Sequence, residues 1–219
     1  MKWIAWVLLL CLSRVAIAHQ PVMDMAPRWE GGYGIQMRVE RFDSRTTTWL
    51  EGVYTFRPST RITFKLPFVD DELGNIIIGV PLKKYENRHA FTSNWSVTPS
   101  VQFPTADDGE WDVGLSVAYS AETPSFYQLY DLYAWGDRVG FDINLGIHPI
   151  HSNANNSGVF AMWDVSLLAS SDGDRIQTGP VLMFYWQNVM ARLEYKALVY
   201  ERGSEWNGGY LGFGIGAVF

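Results

Sequence analysis

The residues of this sequence that could do chemistry are charged side chains spaced two or four residues apart. They occur in three runs: Arg38 and Glu40; Arg61 and Lys65; Arg192, Glu194 and Lys196. Side chains two residues apart lie on one face of a β-strand, so each run places several charges together. Charges of both signs on one face can line a polar pore that selects a solute. They can also form ion pairs that fill a narrow interior without conducting, and the sequence leaves both open.

The segments that carry these charges are apolar at the alternate positions. Segment 93–103 is the clearest, because Trp95, Val97 and Val101 alternate with serine, threonine, asparagine and glutamine. About twelve such segments follow one another, each near the ~9–11 residues that a tilted membrane-spanning strand needs. The pattern predicts an all-β protein, a transmembrane antiparallel up-and-down β-barrel of about twelve strands, with ten as the alternative. Three mid-segment prolines, Pro81, Pro99 and Pro180, count against it because proline removes a ladder donor.

Charged faces of a barrel in a bilayer must avoid hydrocarbon, so we expect them to line the lumen. The predicted lumen-lining residues are Arg38, Glu40, Glu51, Arg57, Arg61, Lys65, Asp112, Asp142, His148, Asp164, Arg192, Glu194 and Lys196.

The last eleven residues, 209–219, form one more alternating segment. Leu211, Phe213, Ile215 and Phe219 share one face, and the other face is mostly glycine. An apolar closing strand that ends on an aromatic residue is typical of outer-membrane barrels. We therefore expect this strand to engage the barrel-assembly machinery and outer-membrane lipid, and to leave space inside the barrel.

The N-terminal residues have the pattern of a secretory signal peptide. Lys2 precedes an apolar run from Trp3 to Leu12, and Ala16-Ile17-Ala18 is a cleavage site of the usual kind. We expect residues 1–18 to be the signal peptide, 19–28 a periplasmic N-terminal segment and 29–219 the outer-membrane barrel. Cleavage would remove the only cysteine, Cys11, and lower the 17 basic residues to 15 against 23 acidic ones, a net charge of −8. This acidic balance argues against nucleic acid as a partner.

Two other chemistries remain open in the sequence. His19 would become the first residue after cleavage, and its amine and imidazole, with Met23 and Met25 nearby, could bind a metal. Ser152 and Ser157 lie near His151, the pair of residue types that a lipid-acting enzyme would need. No acid partner for them is apparent, so we expect no catalytic activity, and we expect no cofactor.

Four segments of the mature chain resemble one group of bacterial outer-membrane proteins, the phenol meta-pathway transporter-like family. These segments are PVMDMAPRWEGGYG (21–34), TFRPSTRITFKLPF (55–68), SNWSVTPSVQFP (93–104) and YQLYDLY (127–133). The resemblance implies a barrel that passes small solutes, either aromatic compounds or ions. It implies no catalytic residues.

Together the patterns predict passive, lumen-mediated passage of small solutes across a bacterial outer membrane. The alternatives are a non-conducting structural or binding barrel, a lipid-acting outer-membrane enzyme, and a metal-handling protein that uses His19.

Overall fold

A computed structural model of the chain describes residues 30–42, 45–88, 91–106, 109–123, 125–152, 157–171, 173–203 and 209–219. The predicted signal peptide, the predicted N-terminal segment and His19 lie outside these residues. None of the helices among the described residues is long and apolar enough to cross a membrane.

The described residues form fourteen strand segments. They are β1 (Tyr33–Arg41), β2 (Thr46–Arg57), β3 (Thr60–Val69), β4 (Glu72–Leu73), β5 (Ile76–Gly79), β6 (Leu82–Arg88), β7 (Phe91–Phe103), β8 (Asp112–Glu122), β9 (Phe126–Trp135), β10 (Arg138–Ser152), β11 (Ser157–Ser170), β12 (Gly173–Trp186), β13 (Val189–Gly203) and β14 (Tyr210–Val218).

The strands form one closed antiparallel barrel. Apart from the short segments β4, β5 and β6, each strand pairs with its neighbours in the chain, and β1 pairs with β14 from Gly34–Val218 to Arg41–Leu211. Segments β4, β5 and β6 all pair with β3 and together occupy one position in the barrel wall. The described residues thus build a twelve-strand barrel, which confirms the predicted fold. Closure leaves no free sheet edge, as a membrane-spanning sheet requires.

The two ends of the barrel differ. Tyr33 and Phe219 exchange backbone hydrogen bonds of 2.9 and 2.7 Å, so the first and last strands meet at one end, called here the terminus end. The turns at Pro58–Ser59 and Gln187–Asn188 lie at this end. The opposite end, called here the loop end, carries the turns Asp70–Asp71 and Gly136–Asp137.

The outer face is an apolar band. Leu115, Ile147 and Phe213 are among its side chains, each about half exposed because no protein layer covers the barrel. Aromatic pairs border this band, with Tyr54 and Phe56 (ring centroids 4.9 Å apart) toward the terminus end. Phe103 and Trp111 (4.9 Å) form a pair toward the loop end. Such aromatic girdles are typical of barrels that span an outer membrane.

Two further connections at the terminus end are short. β6 extends to Arg88 before β7 begins at Phe91, and β10 extends to Ser152 before β11 begins at Ser157. The connections at the terminus end are therefore all short, because polar residues there continue the strands.

The three mid-segment prolines fit the ladders. Pro81 lies in the break between β5 and β6, and Pro180 lies where the β12–β13 pairing lapses between Thr178 and Val181. The Pro99 carbonyl accepts a hydrogen bond from the Val80 N–H (2.9 Å), so the missing donor of Pro99 points toward the β5–β6 break. Each proline thus meets a neighbour whose pairing is already interrupted.

Candidate functional site

The structure places twelve of the thirteen predicted lumen residues on the inner face of the barrel. The register follows this face around the wall: Glu51 is opposite Lys65, Arg192 is opposite Gly214, and Asp164 is opposite Gly179. Arg57 is the exception, and its prediction is corrected here. A bulge lies between Thr55 and Arg57, and it pairs Arg57 with Thr60. Thr60 precedes the buried, inward-facing Arg61 and therefore lies on the outer face, as does its partner Arg57. The bulge therefore turns Arg57 outward at the exposed terminus end.

Six charged residues from four strands form what is called here the charge belt. They are Arg38, Glu40, Glu51, Lys65, Arg192 and Glu194. Arg38 is its centre, because its guanidinium pairs with Glu40 and lies 3.6 Å from Glu51 and 3.5 Å from Glu194. The Lys65 ammonium lies 3.9 Å from Glu51, and the Arg192 Nε donates to Glu194 at 2.8 Å. Charges of opposite sign therefore alternate across β3, β2, β1 and β13.

Glycines in β14 allow the belt to cross a strand that carries no charge. Arg38 on β1 and Glu194 on β13 are separated by β14, whose residues at this level are Gly212 and Gly214. A Cβ on Gly212 would lie 2.6 Å from the Glu194 Cγ, so the Glu194 side chain lies directly over this glycine. The space that the sequence predicted on this strand is filled by an ion pair that reaches over the glycine.

The same arrangement occurs on the other side of β13. The Lys196 ammonium reaches over Gly179 of β12 to Asp164 on β11, with an N–O distance of 2.5 Å, and also donates to the Ser166 hydroxyl at 2.7 Å. Any Cβ on Gly179 would collide with the Tyr195 carbonyl oxygen. Ion pairs thus extend from β3 to β11 along more than half of the wall.

The carboxylates of the charge belt lie beneath its cations. The side chains of Glu51 and Glu194 are 2% and 0% exposed. Lys65, by contrast, is 42% exposed, and Arg192 is 21% exposed. The belt is balanced in formal charge, but the charge that it presents to the lumen is cationic.

The wall formed by β7 and β8 is called here the hydroxyl wall. Its inner face at mid-height consists of small side chains, which are Ser96, Thr98, Ser100, Ser116 and Ala118. Eight-stranded barrels are just filled by side chains and those of 16–18 strands hold an aqueous channel, so twelve strands leave a passage where side chains are short. The side chains of this wall therefore fill little of the lumen at mid-height, whereas toward the loop end the Trp135 ring lies over Gly114.

The half of the lumen toward the terminus end is closed. An inner apolar patch there consists of Tyr127, Phe160, Met162, Val181, Met183, Tyr185, Met190 and Val218. Tyr127, Phe160, Val181 and Met183 are inaccessible to solvent. At the same end Arg61 donates to the Tyr85 hydroxyl at 2.6 Å, and the imidazole of His148 lies 3.8 Å from Glu122 and edge-on to Phe160. Solute cannot pass this level without side-chain movement.

Several inner-face residues were not identified from the sequence. Trp49 donates its indole N–H to Glu40 at 3.0 Å and lies beneath the Arg38 guanidinium at 5.7 Å. Trp49 is two residues before Glu51, so the alternation of inner and outer side chains along the strand would have predicted that it faces the lumen. Asp131 and Tyr133 also face inward, but segment 126–135 is aromatic or apolar on both faces, which hid its inner face.

A polar contact ties two turns together at the loop end. The hydroxyl and backbone N–H of Ser171 both donate to the Asp137 carboxylate, the N–H at 3.2 Å. These hydrogen bonds lower the pKa of Asp137 below its usual range. Among the described residues no three His, Cys, Asp or Glu side chains converge as a metal site would require.

No model of a known protein family and no curated protein matches the sequence. Solved structures do match the fold. A KdgM porin, determined in complex with disordered oligogalacturonate, is similar with a TM-score of 0.62 at 10% identity over 85% of this chain and 99% of that chain. The COG4313 outer membrane channel from Pseudomonas putida F1 has a TM-score of 0.59 at 13% identity over 93% and 98%. The NanC porin has a TM-score of 0.54 at 12% identity over 85% and 98%.

These matches show that the chain has the fold of small outer-membrane channels. All three neighbours are named as porins or channels, and the barrel implied by the sequence resemblance is the one observed. At identities of 10–13% the matches establish the fold alone.

Proposed function

We propose that this protein is an outer-membrane channel that gives small solutes passive passage through its lumen. The observation that carries this proposal is the distribution of side chains in the closed barrel. The outer face is apolar, whereas the inner face toward the loop end has charged residues on one side and the hydroxyl wall on the other. A polar lumen inside an apolar surface suits a water-filled path through a bilayer.

The solved neighbours support the proposal. A KdgM porin was determined with oligogalacturonate, and the Pseudomonas putida F1 protein is named as an outer-membrane channel. We place the terminus end in the periplasm and the loop end outside the cell, because short turns face the periplasm in barrels of this kind. Export would use the predicted signal peptide, residues 1–18.

The inner apolar patch gives this channel a closed resting state. Solute entering from the loop end would reach the charge belt and then meet Phe160 and Met183, which admit no water. Hydrophobic constrictions close pores because water leaves them. We therefore expect passage only while these side chains move aside, and a conductance below that of an open barrel of the same strand number.

Single-channel recording in planar bilayers tests the proposal. Purified protein whose folding is verified by heat-modifiable electrophoretic mobility should give discrete current steps. Folded protein that inserts into the bilayer but gives no steps, at any voltage that the membrane tolerates, would overturn the proposal. The closed terminus end favours one alternative, a non-conducting structural or binding barrel, and that result would support it.

A further inference from the structure

We propose that the charge belt is an anion-binding face and that the channel selects small, singly charged anions such as carboxylates over cations. This inference rests on the proposed function only in taking the lumen as the path of the solute. It is unexpected from the sequence, because the mature chain would carry a net charge of −8.

The carboxylates of the charge belt are paired with protein cations and hydrogen-bond donors. The two oxygens of Glu40 accept from Arg38 and from the Trp49 indole. Glu51 accepts from Gln36 through one oxygen and faces Arg38 through the other.

Glu194 is engaged in the same way. One of its oxygens accepts from Arg192 and the other faces Arg38 at 3.5 Å. Each of these three carboxylates therefore accepts at least one hydrogen bond from a protein donor and lies within ion-pair distance of Arg38, and the Glu51 and Glu194 side chains are shielded from solvent.

The cations of the charge belt, by contrast, retain capacity for an anion. The only belt partner within ion-pair distance of Lys65 is Glu51, at 3.9 Å, longer than a hydrogen bond, and 42% of the Lys65 side chain is exposed. An ammonium group has three donors, so it can hold a solute carboxylate without giving up this pair. Arg192 and Arg38, which are 21% and 18% exposed, extend the cationic surface toward the terminus end.

Other acidic groups on the inner face lie on β8, β9 and β10. Asp131 and Asp142 lie side by side on β9 and β10, and one oxygen of each is shielded from solvent. Asp112 lies at the loop-end rim, where one oxygen accepts from the Val113 N–H at 2.7 Å. Within the charge belt the most exposed side chains are its three cations, Lys65, Arg192 and Arg38.

The size and charge of the ligand follow from this geometry. Lys65 offers one accessible ammonium, and the hydroxyl wall, which is separated from β3 by one wall position, offers neutral hydrogen-bond donors such as Thr98 and Ser116. A carboxylate placed between them would meet one charge and several hydroxyls. This environment suits a monoanion with polar substituents.

The reversal potential in a KCl gradient tests this inference. We expect the wild-type channel to prefer chloride over potassium. Lys65→Gln should reduce the permeability ratio by about fourfold, the effect of one unit charge at ~5 Å in water, and Lys65→Glu should reverse the preference. Arg202→Gln is the matched control, because Arg202 is 77% exposed on β13 near the loop end and outside the belt.

A wild-type channel that prefers potassium, or equal effects of Lys65→Gln and Arg202→Gln, would overturn the anion-binding face. A protein without conductance would overturn the proposed function instead, and the face would then be tested by fluorescence. The Trp49 signal, taken as wild type minus Trp49→Phe, should be quenched by iodide far more than by caesium, because the ring lies beneath Arg38. Equal quenching by the two ions would contradict the inference.

Discussion

Substitution of two glycines on β14 tests whether the Glu194 side chain lies over Gly212. Gly212 and Gly214 are two residues apart on the inner face of β14. A Cβ added at Gly212 would lie 2.6 Å from the Glu194 Cγ and 2.7 Å from its Oε1, whereas a Cβ at Gly214 would meet nothing closer than 3.5 Å. The same substitution therefore strains the belt at one site and fits at the other.

The two substitutions should differ in unfolding free energy by at least about 1–3 kcal/mol. Glycine within a strand costs about 0.5–1 kcal/mol relative to alanine, so Gly214→Ala should be neutral or slightly stabilising. Gly212→Ala gains the same backbone term but must displace Glu194, and overpacking of this kind costs about 1–3 kcal/mol. The displacement also loosens the contacts of Glu194 with Arg192 and Arg38, which adds to the loss.

Equilibrium urea unfolding in lipid vesicles, followed by tryptophan fluorescence, measures this difference. We expect the midpoint of Gly212→Ala to fall clearly below that of the wild type, and the midpoint of Gly214→Ala to remain at or above it. Equal midpoints for the two variants would refute the placement of Glu194 over Gly212, and with it the crossing of β14 by the belt.

Two further predictions concern the two ends of the barrel. Ser171→Ala should raise the pKa of Asp137 toward its ordinary value, because the hydroxyl donor of Ser171 is lost. NMR titration of the carboxyl group measures this change, and an unchanged pKa would contradict the contact. Since the folded-state pKa of Asp137 is lowered, the Ser171 contact favours the folded state above the ordinary pKa and is lost as the pH falls through the lowered value. Phe160→Ala should cost about 3–5 kcal/mol in unfolding and should raise single-channel conductance, because Phe160 is wholly buried in the inner apolar patch. Val165→Ala on the outer face of the same strand should leave conductance unchanged, and a Phe160→Ala channel no more conductive than the wild type would show that the patch is not the closed point.

Much of the fold follows from the alternation of apolar and polar residues along the sequence. Each barrel position contains one of the predicted segments, because a strand with one face toward lipid and one toward water must alternate. The closing strand was predictable for the same reason, and Leu211, Phe213 and Ile215 are about half exposed on the outer face. Phe219 packs against Tyr33 with ring centroids 5.2 Å apart, a contact between the first and last strands at the terminus end.

The positions that depend on irregular pairing were not predictable. Strict alternation of side chains along β2 predicts that Arg57 faces the lumen. The bulge after Thr55 shifts this alternation by one residue, so Arg57 lies on the outer face. A bulge also follows Ile147 on β10, yet His148 remains on the inner face beside Phe160. No local sequence signal distinguishes these two outcomes, because each depends on how the neighbouring strand accommodates the extra residue.

The partners within the charge belt depend on contacts between strands far apart in the sequence. Arg38 is close to Glu194 only because the barrel closes between β1 and β14, and because Gly212 leaves room for the Glu194 side chain. The sequence shows both charges and the glycines, but the burial of Glu194 and the exposure of Lys65 arise from the assembled barrel. The anion-binding face could therefore be inferred only from the structure.

Chemical labelling of the lumen is the most direct test of the central claim, that solutes pass through the inside of this barrel. Ser116 faces the lumen from the hydroxyl wall, and its neighbour Val117 is exposed on the outer face. The chain's only cysteine, Cys11, lies in the predicted signal peptide, so one introduced cysteine would be the only thiol of the mature protein. A charged thiol reagent added during recording should lower the conductance of Ser116→Cys and leave that of Val117→Cys unchanged. If modification of Ser116→Cys, verified by mass, leaves the current unchanged, the lumen is not the path of the solute.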